Sequence, residues 1–295
     1  MKKIVVALGG NALQSKDIEN TAEGQLTVIK RTVRYLSDIY GEGYEISIVH
    51  GNGPQVGRIV LASEAAKNVT PAMPFDVCGQ GYIGYHIQQA MGNALRARGI
   101  DKPVATVATQ IVVDSNDKGF KSPTKPIGPF YSEEDAIALR DKGYCMKEDA
   151  GRGWRRVVAS PIPKRIVEIE AIKELGKSAI VISCGGGGVP VIEKKDGSLE
   201  GVAENLDADI LLILTEVEKA AINWQKPNQA FLGNITADEA EKYVVEGHFA
   251  PGSMLPKVEA AIKFARTKPE RKAIITSLDN AVKALKGETG TCIYG

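Results

Sequence analysis

A chain of 295 residues, 43% hydrophobic and 25% charged, has room for one large or two modest domains and can bury a sizeable core. Its formal net charge of +1 supplies no basic surface for nucleic acid or membrane. No apolar run reaches the roughly 20 residues that span a bilayer, and the opening run reads as a strand, not a signal peptide.

Four cysteines (Cys78, Cys145, Cys184, Cys292) are scattered without metal or redox spacing and imply free thiols in a reducing cytoplasm. Three histidines argue against a His-rich metal site.

The chain opens with Ile4-Val5-Val6-Ala7-Leu8 running into Gly9-Gly10-Asn11-Ala12. This predicts a buried strand ending in a loop without bulky side chains. Leu26, Ile29, Val33, Leu36 and Tyr40 then recur at helical spacing. A second strand, Ile46 to His50, runs into Gly51-Asn52-Gly53-Pro54, and a helix starts near that proline. A long helix follows at about Val77 to Arg98, and Val104 to Val113 alternates as a strand.

Between residues 114 and 165 the composition shifts to prolines, glycines and charges, which predicts an inserted subdomain or lid. Regular order then returns. Ile166 to Leu175 reads as a helix, and Ala179 to Cys184 as a strand running into Gly185-Gly186-Gly187-Gly188. Asp209 to Thr215 is another apolar strand, and Ala220 to Asn223 a short one. Helices at Ala237 to Val245 and Ser253 to Ala265, a strand at Ala273 to Thr276, a helix at Leu278 to Leu285 and a strand at Thr291 to Ile293 complete the chain.

Alternating strands and helices imply a mainly parallel sheet covered on both faces. Strand C-ends share one edge of such a sheet, and ligands bind there. Three glycine loops on that edge would gather backbone donors suited to phosphate or carboxylate. The chain has neither a P-loop motif nor a Gly-x-Gly-x-x-Gly fingerprint in its first loop.

Phosphoryl transfer needs positive charge held in position, and two lysines have unusual settings. Lys125 lies in Pro123-Thr124-Lys125-Pro126-Ile127-Gly128-Pro129, where the prolines make a stiff arm. Local sequence alone reads it equally well as a solvated loop lysine. Its arm reaches the glycine loops only if the insert folds over the sheet edge, with Gly119 and Gly151 or Gly153 as expected pivots. Lys257 follows Pro251-Gly252-Ser253 in a first helical turn, with Ser253 the expected N-cap. A cation there faces the positive end of the helix dipole, which hints at an anion. Arg152, Arg155 and Arg156 read as braces of the insert, with anion binding the other option. Asp207 and Asp209 could orient a lysine.

The motifs Leu8-Gly9-Gly10-Asn11-Ala12-Leu13, His50-Gly51-Asn52-Gly53-Pro54-Gln55-Val56-Gly57, Pro126-Ile127-Gly128-Pro129-Phe130-Tyr131, Gly185-Gly186-Gly187-Gly188-Val189-Pro190 and Gly247-His248-Phe249-Ala250-Pro251-Gly252-Ser253-Met254 closely resemble the carbamate kinase family, in collinear order along nearly the whole chain. The resemblance implies an α/β fold, a three-layer αβα sandwich with a mainly parallel central sheet and a protruding subdomain. Residues 1–295 would be a single amino-acid kinase domain with a lid of about 114–165, usually in a homodimer.

It also implies reversible phosphoryl transfer between MgATP and carbamate, flowing toward ATP in arginine fermentation. By position, Gly9, Gly10, Asn11, Gly51, Asn52 and Gly53 would hold the small substrate and the phosphoryl group. Gly185 and Gly186, with Thr215, Glu216 and Val217, would hold the nucleotide. Lys125 and Lys257 would be catalytic, and Mg²⁺ would arrive with ATP or ADP.

The resemblance breaks in one place. After Leu199-Glu200-Gly201-Val202 the family continues for roughly a dozen residues around an Asp-Lys-Asp core; here Ala203 follows at once. Loss of that segment would favour a non-catalytic nucleotide or carbamoyl-phosphate binding protein. A related small-acid kinase is the other alternative.

Overall fold

The computed structural model describes residues 2–15, 17–19, 21–65, 75–114, 116–141, 143–149, 151–192, 210–250, 253–266 and 269–295. Its first half runs β1 (Lys3–Leu8), α1 (Gly10–Leu13), α2 (Ala22–Gly41), β2 (Glu45–His50), α3 (Gly53–Ala65), α4 (Phe75–Arg96), β3 (Val104–Thr106) and β4 (Gln110–Val113). The insert carries α5 (Lys118–Lys121), β5 (Lys125–Tyr131), α6 (Glu133–Asp141), β6 (Met146–Glu148) and β7 (Trp154–Val158). Then come β8 (Pro163–Ile166), α7 (Ile169–Ser178), β9 (Ile180–Ser183), β10 (Val189–Ile192) and β11 (Ile210–Thr215). The chain ends with β12 (Ala221–Ile222), β13 (Ala230–Phe231), β14 (Asn234–Thr236), α8 (Ala237–Val245), α9 (Met254–Ala265), β15 (Lys272–Ser277), α10 (Ala281–Leu285) and β16 (Thr291–Tyr294).

An eight-stranded sheet runs β14-β16-β15-β11-β1-β2-β9-β3. Among its described pairings, only β15 with β16 is antiparallel. Successive side chains of a strand leave on opposite faces, and β1 shows the consequence. Ile4, Val6 and Leu8 pack with α2, α4 and α10, whereas Val5 packs on the other face with residues of α7, α8 and α9. Both faces are therefore covered, which is why β11 is apolar from Ile210 to Leu214. This is the three-layer αβα sandwich.

The helices follow from their stripes and caps. α2 buries Val28, Ile29, Val33, Leu36 and Ile39, and Thr21 caps it, its Oγ1 accepting from the Gly24 amide at 3.0 Å. Gly84 of α4 lies against β3, where an added Cβ would stand 2.3 Å from Thr106 Cγ2.

Some expected elements shift. The stretch from Val104 to Val113 divides into β3 and β4, which belong to different sheets. The backbone breaks at Thr109, whose amide bonds the Gln80 side chain, while its carbonyl accepts both from Gln80 and from the Val189 amide of β10. Ile166 ends a strand, β8, and α7 starts only at Ile169. Here β8 pairs antiparallel with β4, which also pairs parallel with β10.

The insert rises from that three-stranded sheet and forms its own, β5-β7-β6. Its two ends meet at a neck, where the Ile162 amide donates to Asp117 Oδ2 at 3.1 Å. Gly119 is at the neck, packed on Ser160. Gly151 and Gly153 are not at the insert's ends. They form the turn between β6 and β7, with φ of +73° and +115°, so a tight hairpin within the insert explains these glycines rather than a hinge.

Gly84→Ala should lose stability, although alanine is the better helix former. The collision with Thr106 should cost about 1–3 kcal/mol, as for other overpacked sites. Thr106→Ser removes the colliding methyl and should restore most of the loss. Urea denaturation of the single and double variants checks this.

Candidate active site

The strands β1, β2 and β9 stand side by side in the sheet and run parallel. Their glycine loops therefore share one edge, as the sequence predicts. Beyond that edge lies a cavity of about 580 Å³. Gly9, Gly51, Asn52, Gly186, Lys125 and Lys257 all line it. Gly10 and Asn11 form the first turn of α1, and Gly53 opens α3, both beside the same loops.

The three loops need glycine for different reasons. At Gly9 and Gly51 a Cβ would make only ordinary contacts, at 3.7 Å from Leu214 O and 3.8 Å from Leu8 O. The third loop has no such space. A Cβ on Gly185 would stand 2.6 Å from His50 Cε1, one on Gly186 2.2 Å from Asn52 Oδ1, and one on Gly188 2.1 Å from Ile111 Cγ1. Gly186 and Gly188 also have φ of +66° and +85°. Side chains from the end of β2, the second loop and β4 thus fill the space that side chains on the third loop would need.

Backbone donors are fewer than the sequence suggests. The Gly51 amide bonds Leu8 O at 2.9 Å, the Gly187 amide Cys184 O at 3.0 Å, and the Gly188 amide Gly185 O at 3.1 Å. These bonds tie the loops together and withdraw those three amides from any ligand.

Lys125 is half-buried, and its Nζ donates to Gly186 O at 3.1 Å. The insert arm therefore reaches the third glycine loop. Lys257 lies in the first turn of α9 and donates to Ser253 O at 2.8 Å. Burial pushes its pKa down from 10.5, and nearby Glu216 pushes it back up. Ser253 occupies the N-cap position, but its side chain caps nothing. Its ψ of −89° departs from the extended backbone that lets a cap side chain reach the helix amides. Pro251 and Gly252 lie outside the described residues, as do Asp207 and Asp209.

A second cavity of about 190 Å³ adjoins the first through Ser253. Thr215, Glu216 and Val217, at the end of β11, line it with Trp224, Phe249 and Met254. The arginines of the insert brace it. Arg152 and Arg155 pair with Asp149 at 2.8 and 3.6 Å, and Arg156 lies over the Tyr144 ring at 3.9 Å.

Two positioning residues carried no signal in the sequence. Gln80, buried on α4, donates from Nε2 to Thr109 O at 3.1 Å, and its Oε1 accepts from the Thr109 amide at 2.8 Å. Thr109 Oγ1 then accepts from the Cys184 amide at 2.9 Å. This holds Cys184 in a left-handed conformation, φ +54°, at the entrance to the third loop. Burial pushes the Cys184 thiol up to about 11, so it is not a thiolate nucleophile at neutral pH.

No group of three or more His, Cys, Asp or Glu side chains that could hold a metal occurs among the described residues. Among the described residues, the main cavity is lined by lysines and no carboxylate. That donor set fits a magnesium ion carried on a ligand's own phosphates better than one caged by protein.

The sequence profile of the "Amino acid kinase family" matches residues 2–277. The chain belongs to this family, on its carbamate kinase branch. A carbamate kinase of Clostridium perfringens (strain 13 / Type A) is 54% identical, covering 99% of each chain. One of Thermococcus kodakarensis is 52% identical, covering 99% of this chain and 98% of the relative. Among solved structures, the carbamate kinase from Giardia lamblia bound to AMP-PNP superposes with a TM-score of 0.88 at 40% identity, covering 99% of this chain and 98% of that one. The Clostridium alignment runs over 311 positions against a chain of 295, so at least 16 (311 less 295) positions of the relative have no counterpart here. The break after Val202 falls within residues 193–209, outside the described residues.

His50 provides a pH test of the interlocked loops. Its Nδ1 donates to Gly51 O at 3.0 Å, and burial holds its pKa below 6.5. Below pH 6.5 the unfolded chain takes up a proton that the folded ring refuses. Stability is therefore full above pH 6.5 and lost as pH falls toward the folded pKa. Replacing His50 with Gln should flatten the loss between pH 6.5 and 5, measured as the difference in urea midpoint from the parent. His86, whose pKa burial also lowers, contributes equally to both proteins.

Proposed function

We propose that this protein catalyses reversible phosphoryl transfer between MgATP and carbamate, with carbamoyl phosphate and ADP converted to ATP and carbamate in arginine fermentation. The observation that carries the reading is the convergence of two lysines from separate elements, Lys125 on the insert arm and Lys257 on α9, upon one cavity edged by Gly9, Gly51, Asn52 and Gly186. Close relatives named carbamate kinases support the choice of acceptor. The adjoining cavity at Thr215, Glu216 and Val217 suits the nucleotide, with its phosphates directed toward Gly185 and Gly186.

In the forward direction a carbamate oxygen attacks the γ-phosphorus while the bond to the β,γ-bridging oxygen breaks and ADP leaves. Charge gathers on the equatorial phosphoryl oxygens. An ammonium carries three N–H donors and one full charge. Among the described residues each of Lys125 and Lys257 bonds one backbone carbonyl, and an ammonium has further donors to turn toward those oxygens. Magnesium, entering with the nucleotide, neutralises phosphate charge. Gly10, Asn11 and Gly53 complete the small-substrate side, where glycines offer few side-chain contacts to a larger acid. Residues 114–165 act as the lid of a single domain. We further infer a cytoplasmic homodimer; no described helix is long and apolar enough to cross a membrane.

A second reading, a binding protein without turnover, draws support from the at least 16 positions (311 less 295) lacking a counterpart in the alignment with the Clostridium enzyme. An assay coupling ATP formation from carbamoyl phosphate and ADP to a reporter enzyme decides. Folded protein that binds ADP yet forms no ATP would sink the kinase reading. If ATP forms, Lys257→Ala should lower turnover by about 10²–10³, typical of one preorganised charge donor, and Lys125→Ala should also cut it deeply. ADP affinity by calorimetry should stay near that of the parent in both. Collapsed affinity with intact turnover would assign the lysines to binding alone.

A further inference from the structure

Lys125 reaches the cavity because β5 lies against α3, and that contact is backbone on backbone. Gly57, buried on α3, faces Gly128 of β5. A Cβ on Gly57 would stand 2.5 Å from the Gly128 nitrogen and 2.6 Å from its Cα. The neighbour there is main chain, which cannot rotate away. Gly128 has φ +71° and lies where the β5–β7 register slips, between Ile127 and Tyr131. Its carbonyl is held from the other side, accepting from Arg155 Nη2 at 2.9 Å. Arg155 is itself fixed by Asp149 at 3.6 Å and by the Phe130 ring at 5.2 Å.

Lys125 precedes Gly128 by three residues on the same strand, roughly 10 Å along an extended chain. Pro126 and Pro129 lock their own φ angles, so a displacement at Gly128 passes along the strand. At the other end, α3 starts directly from the loop of Gly51 and Asn52, so its position relative to the cavity is set. Glycine weakens a helix interior relative to alanine. At Gly57 the close approach of β5 explains its presence.

We propose that Gly57 is a positioning residue for Lys125: having no side chain, it lets β5 seat directly on α3 and so sets how far the ammonium extends into the cavity. The kinetic consequence rests on the kinase reading above; the placement of Lys125 does not.

The test is Gly57→Ala, read in two ways. In the ATP-forming assay kcat should fall about tenfold or more, since misplacement of a catalytic group by about 1 Å can cost 10²-fold. The Kd for ADP should change by less than about twofold. Adding Gly57→Ala to Lys125→Ala should cost little more than Lys125→Ala alone, because residues acting through one another are not additive. Separately, an amine-reactive reagent followed by peptide mass spectrometry should modify Lys125 severalfold faster in Gly57→Ala, while exposed Lys173 and Lys177 react as before. Unchanged kcat with unchanged Lys125 labelling, or full additivity with Lys125→Ala, would overturn the proposal. If the parent forms no ATP, the kinase reading fails and the labelling still decides. If Gly57→Ala does not fold, Arg155→Met releases the same clamp from its other side and must give the same labelling change.

Discussion

The site depends on one steric arrangement, the interlocking of the second and third loops at the sheet edge. His50 lies beneath Gly185, the Asn52 amide beneath Gly186, and Ile111 beneath Gly188. Each pair leaves no volume for a Cβ, so the main chain of the third loop is seated directly on side chains of its neighbours. Interiors packed to crystal-like density admit no gradual adjustment to an added methyl. These contacts fix the seat of the loop, which forms one wall of the cavity. Preorganisation of this kind matters most for a reaction whose catalysis is mainly positioning and charge.

That seating needs a chain reversal immediately before it, at Cys184, in a conformation unusual for a residue with a side chain. Local strain of order 1–3 kcal/mol persists only where the surroundings over-determine it. Here the surroundings are Thr109 and Gln80. The buried amide of Gln80 satisfies both backbone groups of Thr109, and the Thr109 hydroxyl fixes the Cys184 amide. Helix α4 thereby holds the third glycine loop.

How far all this could be read in the sequence varies by scale. The three strand-to-glycine transitions were legible because buried parallel strands are apolar runs and glycine marks their ends. Their adjacency followed from parallel order. Lys125 and Lys257 stood out by their flanking prolines and by helix position. Contacts between distant segments left no local trace. Nothing in the run around Gln80 differs from an ordinary polar helix position, and Gly57 reads as a tolerated helix glycine until β5 is laid on it. The insert announced itself by composition but hid its sheet, because β5, β6 and β7 are short and lie half in solvent, without a regular apolar alternation. The glycines at 151 and 153 illustrate the limit. Glycine tolerates a hinge and a hairpin turn equally, and only pairing with β6 and β7 distinguishes them.

The two lysines differ in what their folded environment asks of them. Lys125 comes in on an arm whose seat on α3 is steric. Lys257 lies in a first helical turn, where the dipole is positive, and is partly desolvated, which lowers its pKa. Both effects disfavour a cation, and Glu216, whose charge acts the other way, is the counterweight. Glu216 also lines the adjoining cavity. An anionic ligand entering between the two cavities would relieve the repulsion at Lys257 and offset its desolvation, as Glu216 now does in part.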